Sequence, residues 1–164
     1  MSFGRAIHRH QRDDFARLSR RYNDLFSGME VRLTKLCIKL ALKEIDGATT
    51  GQKIGRLKSV KPSSQLSKAN VQQIGKICSQ LSNQLNIRNS VTHGVMITGT
   101  MNNSDVVFFQ KADDAAASNP VYVVMNFEDF NDAIEAIITA TDLLDSILVQ
   151  PPAPQRPNQT AKSA

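Results

Sequence analysis

The residues best suited to chemistry stand in one short run, Arg88-Asn89-Ser90-Val91-Thr92-His93-Gly94. His93 is one of three histidines; the other two, His8 and His10, lie close to the start of the chain. Imidazole is the side chain that most readily exchanges a proton near neutral pH. A guanidinium holds a phosphate in a rigid fork of donors and offsets negative charge that grows on it. An Arg-x-x-x-x-His pair with amide and hydroxyl side chains between its ends therefore suits phosphodiester chemistry. Cleavage of RNA by its own 2′-hydroxyl needs a base and a fixed cation, and it needs no metal. In such a site Arg88 and His93 are the catalytic candidates. Asn89 is placed to orient the imidazole or the phosphate, and Ser90 and Thr92 to add hydroxyls. The spacing predicts a short helix with Asn86 as its cap and Gly94 as its stop. On that helix Asn89 and His93 share a face. Arg88 is about 140° away from His93 around the axis, and its long side chain still reaches the same pocket.

Other chemistries lack their residues. Gly47 and Gly51 have the wrong spacing for a phosphate-binding loop, and Gln52 stands where the lysine belongs. There is no Gly-x-Gly-x-x-Gly and no Gly-x-Ser-x-Gly. Cys37 and Cys78 are two distant thiols among apolar residues at helical spacing, which reads as two reduced, buried cysteines of a cytoplasmic protein and not as a zinc site. His8-x-His10 offers only two metal ligands. No metal and no cofactor is expected. The first residues hold no apolar stretch, so no signal segment is expected, and no apolar run is long enough to span a bilayer.

The elements that must position the run follow from periodicity. Phe15, Leu18, Tyr22, Leu25, Met29, Leu33, Leu36 and Leu40 predict one long amphipathic helix from Asp13 to Ile45, capped by Asp13 or Asp14 and stopped at Asp46-Gly47. Thr50 is expected to cap a short helix, Gly51 to Ser59, and a third helix is expected from near Ser64. After Gly94 the period changes: Val95 to Thr98, Asp105 to Gln110 and Val121 to Met125 predict a small antiparallel ribbon or meander. Asn126 caps a last helix, Phe127 to Val149, with Asp129 three positions into it. The fold class expected is mainly α, an antiparallel helical bundle with a β-ribbon at about 95–126 inserted before the last helix. Residues 13–149 make one domain, flanked by a flexible basic arm, 1–12, and a disordered Pro-rich tail, 150–164.

The formal net charge is +5, unevenly spread. Arg5, Arg9, Arg12, Arg17, Arg20 and Arg21 crowd the start, while the last helix is acidic. Such an arm suits a polyanion, because phosphate contacts release counterions; a solvated, solubilising segment explains it equally.

The run and the helix order resemble the HEPN superfamily, whose signature is Arg, four to six residues, then His, often with Asn directly after the Arg and Gly after the His. The resemblance covers roughly 13–149. Arg5 and His10 also satisfy the bare spacing; the Asn, the Gly and the preceding helix single out the second match. The resemblance implies a metal-independent ribonuclease of toxin–antitoxin, abortive-infection or phage-defence systems. Two protomers would pair so that both motifs line one cleft, with an antitoxin or immunity protein as keeper. Two departures stand out. Toxins silenced by a nucleotidyltransferase often carry Tyr two residues past the His, where this chain has Val95. The β-ribbon is also foreign to the minimal bundle. Three readings stay open: an endoribonuclease homodimer; a catalytically inactive HEPN-like module binding RNA, a nucleotide or a protein; and a structural or regulatory helical dimer in which the β-ribbon carries the interaction. For His93 itself the plainer alternative is a structural histidine that closes a helix C-terminus.

Overall fold

The computed structural model describes residues 3–63, 66–111 and 122–149, with side chains from Gln11 onward except those of Lys111 and Tyr122. The described residues form, in order, α1 (Phe3–Lys39), α2 (Thr50–Lys58), α3 (Lys68–His93), β1 (Gly94–Met101), β2 (Ser104–Lys111), β3 (Tyr122–Asn126) and α4 (Phe127–Val149). The described residues are mainly helical, and their three strands form one antiparallel sheet in the order β1-β2-β3.

The stripe expected for α1 is observed: Phe15, Tyr22, Met29, Leu33 and Leu36 are fully buried, joined by Phe26 and Cys37. Both ends differ from expectation. The helix does not begin at Asp13. From Phe3 onward the presumed arm belongs to α1, because no proline interrupts residues 3–12 and Arg5, Ala6, Arg9, Gln11 and Arg12 favour extending the helix upstream once it is nucleated. The helix also stops at Lys39, short of Ile45. Ala41 is left-handed (φ 51°), its N–H donates to Ile38 O (2.9 Å), and Leu42 N–H reaches back to Cys37 O (3.0 Å). This is a Schellman termination with alanine where glycine is usual. Ile45 is still buried, but from the connecting segment.

Helix α2 is capped by Thr49, one residue before the expected Thr50, in a capping box with Gln52: Thr49 N–H donates to Gln52 Oε1 (2.8 Å) and Gln52 N–H to Thr49 Oγ1 (3.3 Å). The third helix starts after Ser67, whose Oγ accepts from Asn70 N–H (3.1 Å); Ser64 lies outside the described residues. It then runs unbroken to His93. The separate short helix predicted from Asn86 is thus the end of α3. Asn86 is an exposed interior position, since no proline or glycine interrupts the helix between Gly75 and Gly94.

The hairpin β1–β2 closes through Asn102 and Asn103, both left-handed (φ 50° and 60°), as a two-residue turn of the twist-matching kind requires. One sheet face presents Val107, Phe109 and Met125 to the core, where Phe109 meets Phe130 edge-on (centroids 5.9 Å). The cap of α4 is as expected: Asn126 and Asp129 exchange backbone-to-side-chain bonds of 2.8 Å each. Helix α4 lies along α1. Phe127 stacks on Phe15 (4.2 Å), Arg32 Nε reaches both Asp145 oxygens (2.9 and 2.8 Å), and Lys39 Nζ donates to the carbonyls of Ile147 and Leu148. The tail expected at 150–164 falls outside the described residues.

Candidate functional site

The end of α3 is sorted by burial. Ser90 and Val91 point into the protein (1% and 8% exposed), Arg88 is half-buried, and Asn89, Thr92 and His93 are exposed. On the helical period Arg88 and Thr92 continue the flank that carries Leu81, Ser90 lies about 180° from that flank, and Asn89 and His93 lie on the side away from Val91. That flank faces α1. Tyr22 donates to Gln84 O (3.1 Å), the Arg88 guanidinium sits over the Phe26 ring (5.9 Å to the centroid), and Thr92 Oγ1 donates to Asn23 Oδ1 (3.0 Å). Successive turns of α3 are therefore pinned to one face of α1. The contact over Phe26 fixes where Arg88 can go while leaving its donors open. Burial pushes the Tyr22 phenol upward, opposed by the nearby positive charge of Arg88, so it serves as a neutral donor.

Arg88 Nη1 lies 3.4 Å from Asn89 Oδ1, and both residues line an open cleft of about 830 Å³ between α1, the start of α2 and α3. Ser27, Glu30, Thr34 and Lys53 line its other walls. The structure thus brings Arg88 and Asn89 together. His93 does not line this cleft; it sits exposed on the last turn, where the chain passes into β1. The expectation for Ser90 is corrected, because its inward-facing hydroxyl is closed off from any open site. Thr92 is exposed, with its hydroxyl committed to α1.

Gly94 ends the helix as expected, but for a different physical reason. Its backbone is extended (φ −84°, ψ 153°), a conformation open to any residue. Its N–H donates to Ser90 O, and a Cβ there would stand 2.4 Å from that oxygen, 3.1 Å from Gln110 O and 3.3 Å from Phe109 Cβ. Glycine is required by close approach of backbone to backbone.

Of the arginines read as an RNA-binding arm, Arg12, Arg17, Arg20 and Arg21 are exposed along α1, with Arg17 paired to Asp14; the side chains of Arg5 and Arg9 are outside those described. None of these four lines the cleft. The residues that sequence reasoning missed are Lys53, Glu30 and Thr34. Nothing in the local sequence marks them, because only the packing of α2 against α1 and α3 brings Lys53 into the same cleft as Arg88. Among the described residues, no group of three or more His, Cys, Asp or Glu could hold a metal ion, and no helix is long and apolar enough to cross a membrane. Comparison with protein-family models, curated protein sequences and solved structures finds no match for this chain.

Proposed function

We propose that the chain is a metal-independent endoribonuclease acting in a toxin–antitoxin or phage-defence setting. The observation that carries this reading is Arg88, held over Phe26 at the wall of an open cleft beside Asn89, one turn and a half ahead of an exposed histidine. In this reading His93 takes the proton of the RNA 2′-hydroxyl. That oxygen attacks the adjacent phosphorus as the bond to the 5′-oxygen breaks, leaving a 2′,3′-cyclic phosphate and, once protonated, a 5′-hydroxyl. Arg88 offsets the charge growing on the phosphate oxygens, and Asn89 orients the reacting group. Because His93 stands outside the cleft of its own chain, the reading calls for a homodimer in which each copy completes the other's site. The setting is cytoplasmic, with an antitoxin or immunity protein masking the activity.

The test is incubation with structured RNA in EDTA, comparing the natural chain with His93→Ala and Arg88→Ala. Cyclic phosphate ends from the natural chain alone support the reading. Equal cleavage by all three, or none by the natural chain at high concentration free of a masking partner, overturns it. The position of His93 also favours a second reading, a module that binds RNA or a nucleotide without turnover. Binding that survives His93→Ala while no cyclic ends form from the natural chain would select that one.

A further inference from the structure

The cleft between α1, α2 and α3 is lined by a second cation besides Arg88, Lys53. Lys53 Nζ donates to Thr34 Oγ1 (3.1 Å), and Thr34 Oγ1 donates in turn to Glu30 O (2.8 Å), so the ammonium is half-buried and held in place with donors to spare. Among the described residues, the ion pairs are Arg17–Asp14, Arg32–Asp145 and Arg56–Glu44; neither Lys53 nor Arg88 is neutralised by a carboxylate. The one carboxylate in the lining, Glu30, already accepts from the Thr50 hydroxyl. Two cations from different helices line one cleft with the Asn89 amide, against the single carboxylate of Glu30, and make a place for a compact anion. Val31 and Leu85 give the same cleft an apolar side, and its volume suits a ligand larger than a bare ion.

We infer that this cleft binds the phosphate of a nucleotide unit, gripped by Lys53 from α2 and Arg88 from α3, with the sugar or base lying against Val31 and Leu85. The inference rests on the RNA-directed reading of Arg88 for its ligand class, but not on turnover. The nucleotide is either one link of an RNA strand or a free mononucleotide; the phosphate chemistry is the same.

The experiment uses the full chain carrying His93→Ala, so that cleavage cannot intrude. Binding of a 5′-labelled tetranucleotide RNA is followed by fluorescence anisotropy, with AMP and adenosine as competitors. Lys53→Gln is expected to weaken binding about five- to tenfold, the loss of one charge-assisted bond. Lys76→Gln, which removes an exposed charge on α3 away from the cleft, is expected to change it less than about twofold. Lys53→Arg keeps the charge and is expected to retain most of the affinity, which separates lost recognition from lost folding. Adenosine is expected not to compete. Competition by AMP points to a free nucleotide and its absence to a strand; both support the inference provided the Lys53 dependence holds. Equal behaviour of Lys53→Gln and Lys76→Gln, or competition by adenosine as strong as that by AMP, overturns it. Failure to cleave RNA in the separate assay would leave this result standing, and cleavage with no effect of Lys53→Gln on binding would remove this inference alone.

Discussion

Replacing Gly94 by alanine tests the junction that carries the candidate histidine. The added methyl would stand 2.4 Å from Ser90 O and 3.1 Å from Gln110 O, both backbone atoms belonging to different elements. Neither can give way as the end of a flexible side chain would, so α3 and β2 must separate at this point. Overpacking of this kind costs roughly 1–3 kcal/mol, and stretching the Gly94 N–H bond to Ser90 O adds about 1 kcal/mol. The expected loss is therefore about 2–4 kcal/mol, read from urea unfolding, or a fall in Tm of about 5–12 °C for a chain of this size. Gly75 is the internal comparison: it lies within α3 with nothing within 4 Å of an added Cβ. Gly75→Ala should stabilise by about 0.5–1 kcal/mol through lower unfolded-state entropy and better helix propensity. If Gly94→Ala loses less than about 1 kcal/mol, or shifts in the same direction as Gly75→Ala, the close-approach reasoning is wrong.

Phe15→Ala removes a ring stacked on Phe127 and tilted against Phe130, and should cost about 3–5 kcal/mol in chemical denaturation; a loss under about 1.5 would show that α1 and α4 are not joined there. Burial raises the Cys78 thiol to about 11. Its contribution is thus complete below about pH 9, where the unfolded thiol is still neutral, and is lost as pH climbs through 9 to 11, by roughly 2–3 kcal/mol. The stability of Cys78→Ala should fall correspondingly less over that range, and parallel curves would refute the assignment. The Arg32–Asp145 pair is 36% and 46% exposed, so a double-mutant cycle should give a coupling of only about 0.3–1 kcal/mol that shrinks with added salt. A coupling above about 2 would mean that water is excluded more thoroughly than this exposure allows.

The parts of the fold governed by local periodicity and side-chain capping were legible. The α1 stripe, the period change at Gly94 and the Asn126–Asp129 cap all rest on residues close in sequence. The end of α1 was not, because Ala41 adopts a left-handed conformation usually announced by glycine. Nor was the continuity of α3 through Asn86, a residue as acceptable on an exposed helix face as at a cap. Within the site, Arg88, Asn89 and His93 could be named in advance, but their sorting could not. The exposure of His93 and the inward turn of Ser90 depend on which side of α3 meets α1, a tertiary fact. Lys53 was silent for the same reason, being one of twenty Lys and Arg residues until α2 is docked.

Helix α3 passes into β1 with no residue between them, and this has a consequence for how the chain can vary in length. One residue inserted before His93 would swing it by about 100° around the helix. One inserted after Gly94 would exchange the two faces of β1, turning Met96 outward and driving Val95 and Ile97 inward. Deletions act in the same way. Changes of length in natural or designed variants are therefore expected at the Asn102–Asn103 turn, while the stretch from Arg88 to Ile97 keeps a constant count of residues even where the residues themselves differ.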